Sequence, residues 1–179
     1  MSQKDGRLEL LRSRIRDVPD FPKKGIVFKD ITPLLGDRDA FKSAIDLMVE
    51  RYASRSLARI VAIESRGFIL GGALAAKLGL PLAVVRKPGK LPYQSDRISY
   101  ALEYGEGTLE LHIDAIRKGE RVLVLDDVLA TGGTACAAAE LTERQGGIID
   151  EYAFLIELDF LKGREKLGDR AVYSLIRYP

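Results

Sequence analysis

One short run, RVLVLDD at residues 121–127, limits the possible folds more than any other stretch of the chain. Its consecutive apolar residues lack polar alternation, which is typical of a strand buried on both faces. Similar runs are RIVAIE at 59–64 and LAVVR at 82–86, followed later by YAFLIEL at 152–158 and AVYSLIRY at 171–178. Strands of this kind belong to parallel sheets that are covered by helices on both sides.

Helix-forming segments separate these strands. GFILGGALAAKLG ends at Gly79, GTACAAAELTERQGG starts at Gly133, and residues 38–54 carry apolar side chains at helical spacing. Strands that alternate with helices predict an α/β fold with a central, mostly parallel sheet flanked by helices. ISYALEY and TLELHID alternate with period two around GEG and predict an antiparallel hairpin.

The amino-terminal part of the chain gives two further predictions. Leu8, Leu11, Ile15 and Val18 recur at helical spacing and predict one amphipathic helix. The proline- and glycine-rich segment that follows, VPDFPKKGIVFKDITPLLGD, predicts a shaped loop.

Composition excludes several classes of protein. The chain has 179 residues, enough for one domain with a sizeable core, and its net charge of +2 gives no reason to expect a nucleic-acid or membrane partner. One cysteine and one histidine allow neither an intramolecular disulfide nor a zinc site. The charged start MSQKDGRLELL lacks an apolar signal core, so we expect a cytoplasmic protein.

Two acids stand where an anion-binding turn begins. ATGGT at residues 130–134 joins the apolar strand to a helix, and its glycines allow backbone N–H groups to surround a phosphate. Asp126 and Asp127 would repel a bare phosphate, but they could accept hydrogen bonds from adjacent hydroxyls of a sugar. The pattern therefore favours a sugar phosphate. The alternative is a turn that Asp127 merely caps, with glycines present for steric reasons.

The whole stretch VLVLDDVLATGGT resembles the phosphoribosyl-pyrophosphate motif of the type I phosphoribosyltransferases. The resemblance implies that Asp126 and Asp127 bind the ribose hydroxyls. The 5-phosphate would be bound by the residues of the turn, Ala130, Thr131, Gly132, Gly133 and Thr134. It also implies a single type I phosphoribosyltransferase domain over residues 1–179. In this fold a small hood is formed by the terminal segments, including about residues 1–35, and by a mobile loop.

Further stretches resemble the adenine phosphoribosyltransferases within that family and occur in the same order. They are DFPKKGIVFKDITPLL, ESRGF, VRKPGKLP, YALEYG and LIELDFLKGREKL. This resemblance implies that adenine and phosphoribosyl pyrophosphate give AMP and pyrophosphate, with Mg²⁺ held near Asp126 and Asp127 through substrate and water. It also implies a homodimer.

The resemblance assigns two segments to pyrophosphate. Glu64, Ser65 and Arg66 follow a strand, and a cis peptide bond is expected between the first two. An arginine there can give a forked, permanently charged donor, although a surface ion pair explains it equally well. Arg86, Lys87 and Lys90 form the second segment, which on its own would be read as a solvated loop.

Proton transfer and adenine binding depend most on the resemblance. Glu103, in a segment similar to the family's mobile loop, would be the acid or base near the adenine ring, and Arg66 would be the second catalytic residue. Spacing alone favours a solvent-facing glutamate at position 103. The stretch IVFK would provide the adenine contacts, with Phe28 as the stacking group and Val27 and Lys29 beside it, and Leu158 would be an apolar contact. Core packing is the alternative for Phe28 and Leu158.

Two other functions stay open at this point. The first is a phosphoribosyltransferase for a 6-oxopurine, which would use Lys29 near the oxo group. The second is a non-catalytic, ligand-sensing regulator on the same fold that binds nucleic acid. The flanking stretches favour adenine over the first, and the near-neutral charge disfavours the second.

Overall fold

The structure, a computed structural model, describes residues 3–101 and 106–179. The chain divides into two compact units, which span residues 1–50 and 51–179. The elements that begin in the first unit are α1 Gln3–Ser13, β1 Arg16–Pro19, β2 Val27–Asp30, α2 Thr32–Gly36 and α3 Arg38–Tyr52. The prediction of a helix over residues 38–54 is confirmed by α3. A single domain over the whole chain stays a prediction.

The structure corrects two predictions for the first unit. The first helix ends at Ser13, and β1 pairs antiparallel with β2, with Val18 opposite Phe28. The Asp20 carboxylate accepts a hydrogen bond from Gly25 N at 2.7 Å across the turn. The helical spacing of Val18 is therefore incidental, and the segment predicted as a loop contains β2 and α2. Pairing between segments outweighs local periodicity here.

The second unit is built on a parallel sheet of five strands. In spatial order these are β4 Leu82–Val85, β3 Arg59–Ile63, β7 Arg121–Leu129, β8 Ile148–Leu158 and β9 Val172–Tyr178. The order reverses between β3 and β7, since β3 is followed along the chain by β4 on one side and later by β7 on the other. Ligands of open α/β sheets bind beyond the carboxyl ends of the strands at such a reversal. The predicted α/β class and parallel sheet are confirmed.

The helices of this unit follow the strands that position the site. They are α4 Gly67–Leu78, α5 Gly133–Arg144 and the short α6 Gly163–Leu167, which follows a 3₁₀ turn at Asp159–Leu161. As predicted, α4 is closed by Gly79, whose φ of +67° suits glycine. Apolar side chains from β3, β7, β8 and α5 form the core, including Val61, Val124, Phe154 and Ala138, all at most 1% exposed.

The remaining strands form the predicted hairpin. β5 Ser95–Ala101 and β6 Glu106–His112 pair antiparallel, with Ile98 opposite Leu109. β6 begins at Glu106, so the last two residues of GEG belong to a strand. Within the described part of the chain, no helix has both the length and the apolar character needed to cross a membrane.

Candidate active site

The two acids lie on β7 beyond the point where β3 stops pairing with it. The last β3 pair joins Ala62 to Leu125, whereas β8 accompanies β7 as far as Leu129. The strand was expected to end at Asp127 and in fact continues to Leu129, because β8 still supplies hydrogen bonds there. Asp126 and Asp127 thus lie where β7 has passed the end of its pairing with β3 but still runs beside β8, at the carboxyl edge of the sheet where the strand order reverses.

The acid pair is held by its own backbone and by one arginine. Asp127 N donates to Asp126 Oδ1 at 2.8 Å, and Arg66 Nε lies 2.6 Å from Asp127 Oδ2. Asp127 is only 6% exposed. Its Oδ2 makes this ion pair but has no aligned hydrogen-bond partner among the described residues. A buried carboxylate oxygen with spare acceptor capacity can receive a ligand's hydroxyl.

Asp126 occupies a tightly packed position. It keeps some exposed surface, but protein atoms surround its carboxyl group closely. Gly67, the first residue of α4, allows this approach, because a Cβ there would lie 2.9 Å from Asp126 Oδ1. Burial raises the pKa of Asp126 well above its usual value, and the nearby Asp127 charge raises it further. Burial and the neighbouring charge therefore both disfavour the ionised form of Asp126.

The predicted phosphate turn follows directly. Gly132 has φ +79°, a left-handed conformation that favours glycine, and α5 begins at the next residue. The turn and the first residues of α5 line a small pocket whose wall also includes Asp126. Backbone N–H groups at the start of a twelve-residue helix carry the positive end of the helix dipole. The turn can therefore bind an anion next to groups that accept hydroxyls.

A short helix that we did not predict supports this turn. Gly163 of α6 lies so close to the turn that a Cβ there would be 2.2 Å from Ala130 O. Lys166, also on α6, brings its Nζ to within 3.6 Å of the position of a Cβ at Gly133. Arg164 fixes the helix through two hydrogen bonds to the buried Glu157, one at 2.8 Å. The sequence GREKL has no periodicity that would have revealed this role.

The residues assigned to pyrophosphate fall on two adjacent loops. The Glu64–Ser65 peptide bond is cis, as the resemblance implies. The Glu64 carboxylate accepts from Arg86 Nε and from Lys87 N, both at 3.1 Å. The side chain of Glu64 thus holds the neighbouring loop, so that only its backbone remains to contact an anion. Lys87 and Lys90 are exposed.

The residues assigned to adenine belong to different units. In the first unit, the Phe28 ring meets that of Phe21 edge-on with centroids 5.3 Å apart, and Lys29 Nζ lies 2.6 Å from Asp17 Oδ1. Val27 is 47% exposed. In the second unit, Leu158 is half-buried at the end of β8. The predicted acid or base, Glu103, lies outside the described residues.

Comparison with known proteins gives a consistent result. The family model described as "Phosphoribosyl transferase domain" matches residues 35–157. The adenine phosphoribosyltransferase of Anaeromyxobacter dehalogenans is 58% identical over 96% of this chain and 99% of its own length. That of Syntrophotalea carbinolica is 57% identical over 96% of this chain and 100% of its own length.

Solved structures agree with these relatives. The crystal structure of adenine phosphoribosyltransferase from Thermoanaerobacter pseudethanolicus has a TM-score of 0.93 and 50% identity, covering 96% of this chain and 99% of that one. The enzyme from Saccharomyces cerevisiae, complexed with adenine and an imino-altritol bisphosphate, has a TM-score of 0.90 and 39% identity, with coverage of 96% and 99%.

Proposed function

Because the chain belongs to the phosphoribosyl transferase family, and within it to the adenine phosphoribosyltransferases, we propose that it transfers the 5-phosphoribosyl group of phosphoribosyl pyrophosphate to adenine N9. The bond from ribose C1 to the pyrophosphate oxygen breaks and a bond from C1 to N9 forms. The N9 proton leaves, and the products are AMP and pyrophosphate. This is a reaction of purine salvage.

The observation that carries the proposal is the spare acceptor capacity of the acid pair beside an anion-binding turn. Ribose 2- and 3-hydroxyls would donate to Asp127 and Asp126, and the 5-phosphate would accept from the backbone N–H groups of residues 130–134. Neither a free phosphate nor a triphosphate offers both groups at this spacing. A sugar phosphate explains why acids and an anion site are neighbours.

Arg66 would link the ribose site to the departing pyrophosphate. It lies beside Asp127 and is one-third exposed, so its guanidinium can pair with the acid and with an incoming anion. Lys87 and Lys90 would add positive charge from the second loop, while Ser65 and the Glu64 backbone contribute polar contacts. Catalysis in this arrangement comes mainly from positioning and from charges placed where negative charge develops.

For the base we propose that Phe28 stacks on adenine and that Val27, Lys29 and Leu158 complete its contacts. The Lys29 ammonium is already paired with Asp17, which leaves it poorly suited to a 6-oxo group. Glu103 is proposed as the group that takes the N9 proton. Replacing Phe28 with alanine should raise the KM for adenine without changing the KM for the donor.

The donor set also fits a magnesium ion held largely by substrate and water. No group of three metal-binding side chains occurs in residues 3–101 and 106–179, so an all-protein site is absent there. Magnesium commonly uses only one or two carboxylates together with substrate phosphates, and Asp126 and Asp127 are the carboxylates available. The ion would neutralise charge on the pyrophosphate.

We also propose a homodimer, which light scattering would test.

The decisive experiment is a steady-state assay of pyrophosphate release with each purine base at saturating donor and magnesium. We expect turnover with adenine and at least 100-fold lower kcat/KM with hypoxanthine, guanine or xanthine, on the scale at which unpaired polar groups reject a ligand. Efficient use of a 6-oxopurine with none of adenine would overturn the proposal. The matched control is Asp127→Asn, which should abolish most turnover with every base.

A further inference from the structure

The loop formed by residues 86–90, here called the basic loop, is fastened by two carboxylates. Glu64 holds its first part through Arg86 and Lys87 N, as described above. Within the loop, Arg86 Nη1 also donates to Lys90 O at 2.9 Å. Arg86 therefore helps to order the loop, and Lys87 and Lys90 are exposed beside it.

The second carboxylate is Glu110 on β6, for which neither the sequence pattern nor the resemblance gives a role. It is 2% exposed. Its Oε2 accepts from Gly89 N at 3.0 Å and its Oε1 from Arg97 Nη2 at 2.6 Å. Its backbone bonds in both directions with Arg86, at 2.9 and 2.7 Å. Glu110 thus joins the hairpin to both ends of the turn in the basic loop.

A buried carboxylate is a costly way to stabilise a hairpin. Desolvation of a charge must be compensated by hydrogen bonds, and an apolar residue at this position of β6 would avoid that cost. Arg97 is 66% exposed in its side chain and could find water instead. The other partner of Glu110, Gly89 N, belongs to a loop outside the sheet. Gly89 has a φ of +72°, which gives this loop a sharp turn.

We propose that Glu110 is a positioning residue for pyrophosphate binding. By accepting from Gly89 N, it fixes the turn between Lys87 and Lys90, so that both ammonium groups are held in one arrangement before the ligand arrives. Pre-ordering of this kind improves affinity by lowering the entropy lost on binding. The proposal rests on the proposed function, since it takes pyrophosphate as the ligand of the basic loop.

The test compares Glu110→Ala and Glu110→Gln with two controls, Arg97→Ala and Glu151→Gln. Glutamine keeps a carbonyl oxygen for Gly89 N, and its amide can face Arg97, which is able to move into solvent. Arg97→Ala removes the other partner of Glu110 but leaves the Gly89 bond. Glu151→Gln changes a similarly buried acid near the amino end of β8. Readouts are calorimetric Kd for inorganic pyrophosphate with magnesium, KM for each substrate, and hydrogen exchange of the Gly89 amide.

In Glu110→Ala we expect Kd for pyrophosphate and KM for the donor to rise about 10- to 100-fold, the range expected for one charge-assisted hydrogen bond. KM for adenine should change less than about threefold, and the Gly89 amide should exchange faster. Glu110→Gln should restore most of the affinity. Arg97→Ala should lower stability, because it leaves a buried carboxylate without its charge partner, but it should keep the Kd for pyrophosphate and the KM for the donor near the wild-type values. Glu151→Gln should lower stability, but it should not raise the KM for the donor relative to the KM for adenine.

Unchanged pyrophosphate affinity in Glu110→Ala, or an equal rise in both KM values, would overturn the positioning role. If the alanine variant does not fold, Glu110→Asp, which is too short to reach Gly89 N, must show the same selective loss. Hydrogen exchange is measured on the ligand-free protein. It therefore reports on the fastening of Gly89 even if the wild type fails to bind pyrophosphate, a result that would contradict the proposed function instead.

Discussion

Buried acids at the two ends of the parallel sheet differ in their hydrogen-bond partners and in the direction in which their pKa is shifted. Near the amino end, Glu151 is 1% exposed and accepts hydrogen bonds at 2.7 Å from Arg51 Nε and from Tyr52 Oη, while Arg55 lies 3.2 Å away. Burial alone would raise its pKa, but these partners lower it below the usual value. At the carboxyl end, the pKa of Asp126 is raised by burial and by its acidic neighbour.

The difference separates stability from ligand binding. Glu151 is saturated by groups of the protein itself, so it contributes to folding and has nothing left to offer a ligand. The acid pair at the other end is underpaired, which costs folding free energy and leaves acceptors for a sugar. Four predictions test this contrast, in order of decreasing effect.

Replacing both acids with Asp126→Asn and Asp127→Asn should have the largest effect on activity. Two hydrogen bonds from ribose hydroxyls to carboxylates would be lost, which corresponds to a fall of about 10²- to 10⁴-fold in kcat/KM for the donor. The free energy of unfolding should not fall by more than about 1 kcal/mol, because Asn removes two like charges from a buried place and the Arg66 pair is partly exposed. Steady-state kinetics and urea unfolding measure both. Survival of donor affinity and turnover would show that the acids do not bind the hydroxyls.

At the opposite end, Glu151→Gln should give the reverse result. Removing the charge leaves Arg51 without its buried partner, and the free energy of unfolding should fall by about 3 kcal/mol. The kcat/KM of the protein that remains folded should stay within about threefold of the wild type. As a control, Glu50→Gln breaks the exposed pair with Arg7 and should cost less than about 1 kcal/mol. A large loss of activity without loss of stability would contradict the contrast.

Gly163→Ala should affect the carboxyl end through packing alone. The new Cβ would overlap Ala130 O, so the phosphate turn must shift, and we expect a loss of about 1–3 kcal/mol in stability and a raised KM for the donor. Gly72→Ala is the control, since nothing lies within 4 Å of a Cβ there and alanine favours the α4 helix. Equal kinetics for the two variants would argue against a supporting role for α6.

The smallest effect is on the pH dependence of stability. A carboxyl group with a raised folded-state pKa binds more protons in the folded protein than in the unfolded chain. Asp126 therefore makes stability fall as the pH rises from its unfolded value near 4 through its folded pKa, by at most about 1.4 kcal/mol per pH unit.

Glu151 has the opposite sign, because its contribution is present above its unfolded pKa and is lost as the pH falls through its lowered folded pKa. Thermal unfolding of the ligand-free protein is measured across pH. The fall in stability above pH 4 that is assigned to Asp126 should disappear in Asp126→Asn and persist in Glu151→Gln. If Asp126→Asn keeps the slope above pH 4, then another group causes it.

The sequence predicted those parts of the site that are continuous along the chain. The acid pair and the phosphate turn adjoin each other between Asp126 and Thr134, so their order alone indicates a sugar phosphate. Glu110 and Gly163 were not recognised, because each acts on a loop that lies far from it along the chain. No local pattern distinguishes a strand glutamate that faces solvent from one that reaches Gly89.

For the fold, too, the sequence predicted some elements correctly and others wrongly. Apolar runs without alternation gave the parallel strands correctly, since burial on both faces leaves a strong signal. In the first unit the helical spacing of Ile15 and Val18 was misleading, because β1 is fixed by pairing with β2 and not by its own periodicity. Spatial order in the sheet also had to come from the structure.

The contact between Gly163 and Ala130 has a consequence for how the protein is made. A ribosome that has just completed α5 has already produced the acids and the whole phosphate turn, but not the glycine against which the turn rests. Substrate binding can stabilise only a state that has the complete site. Nascent chains that stop before Gly163 should therefore gain little protection from proteolysis when donor is added, whereas chains that include β9 should gain it.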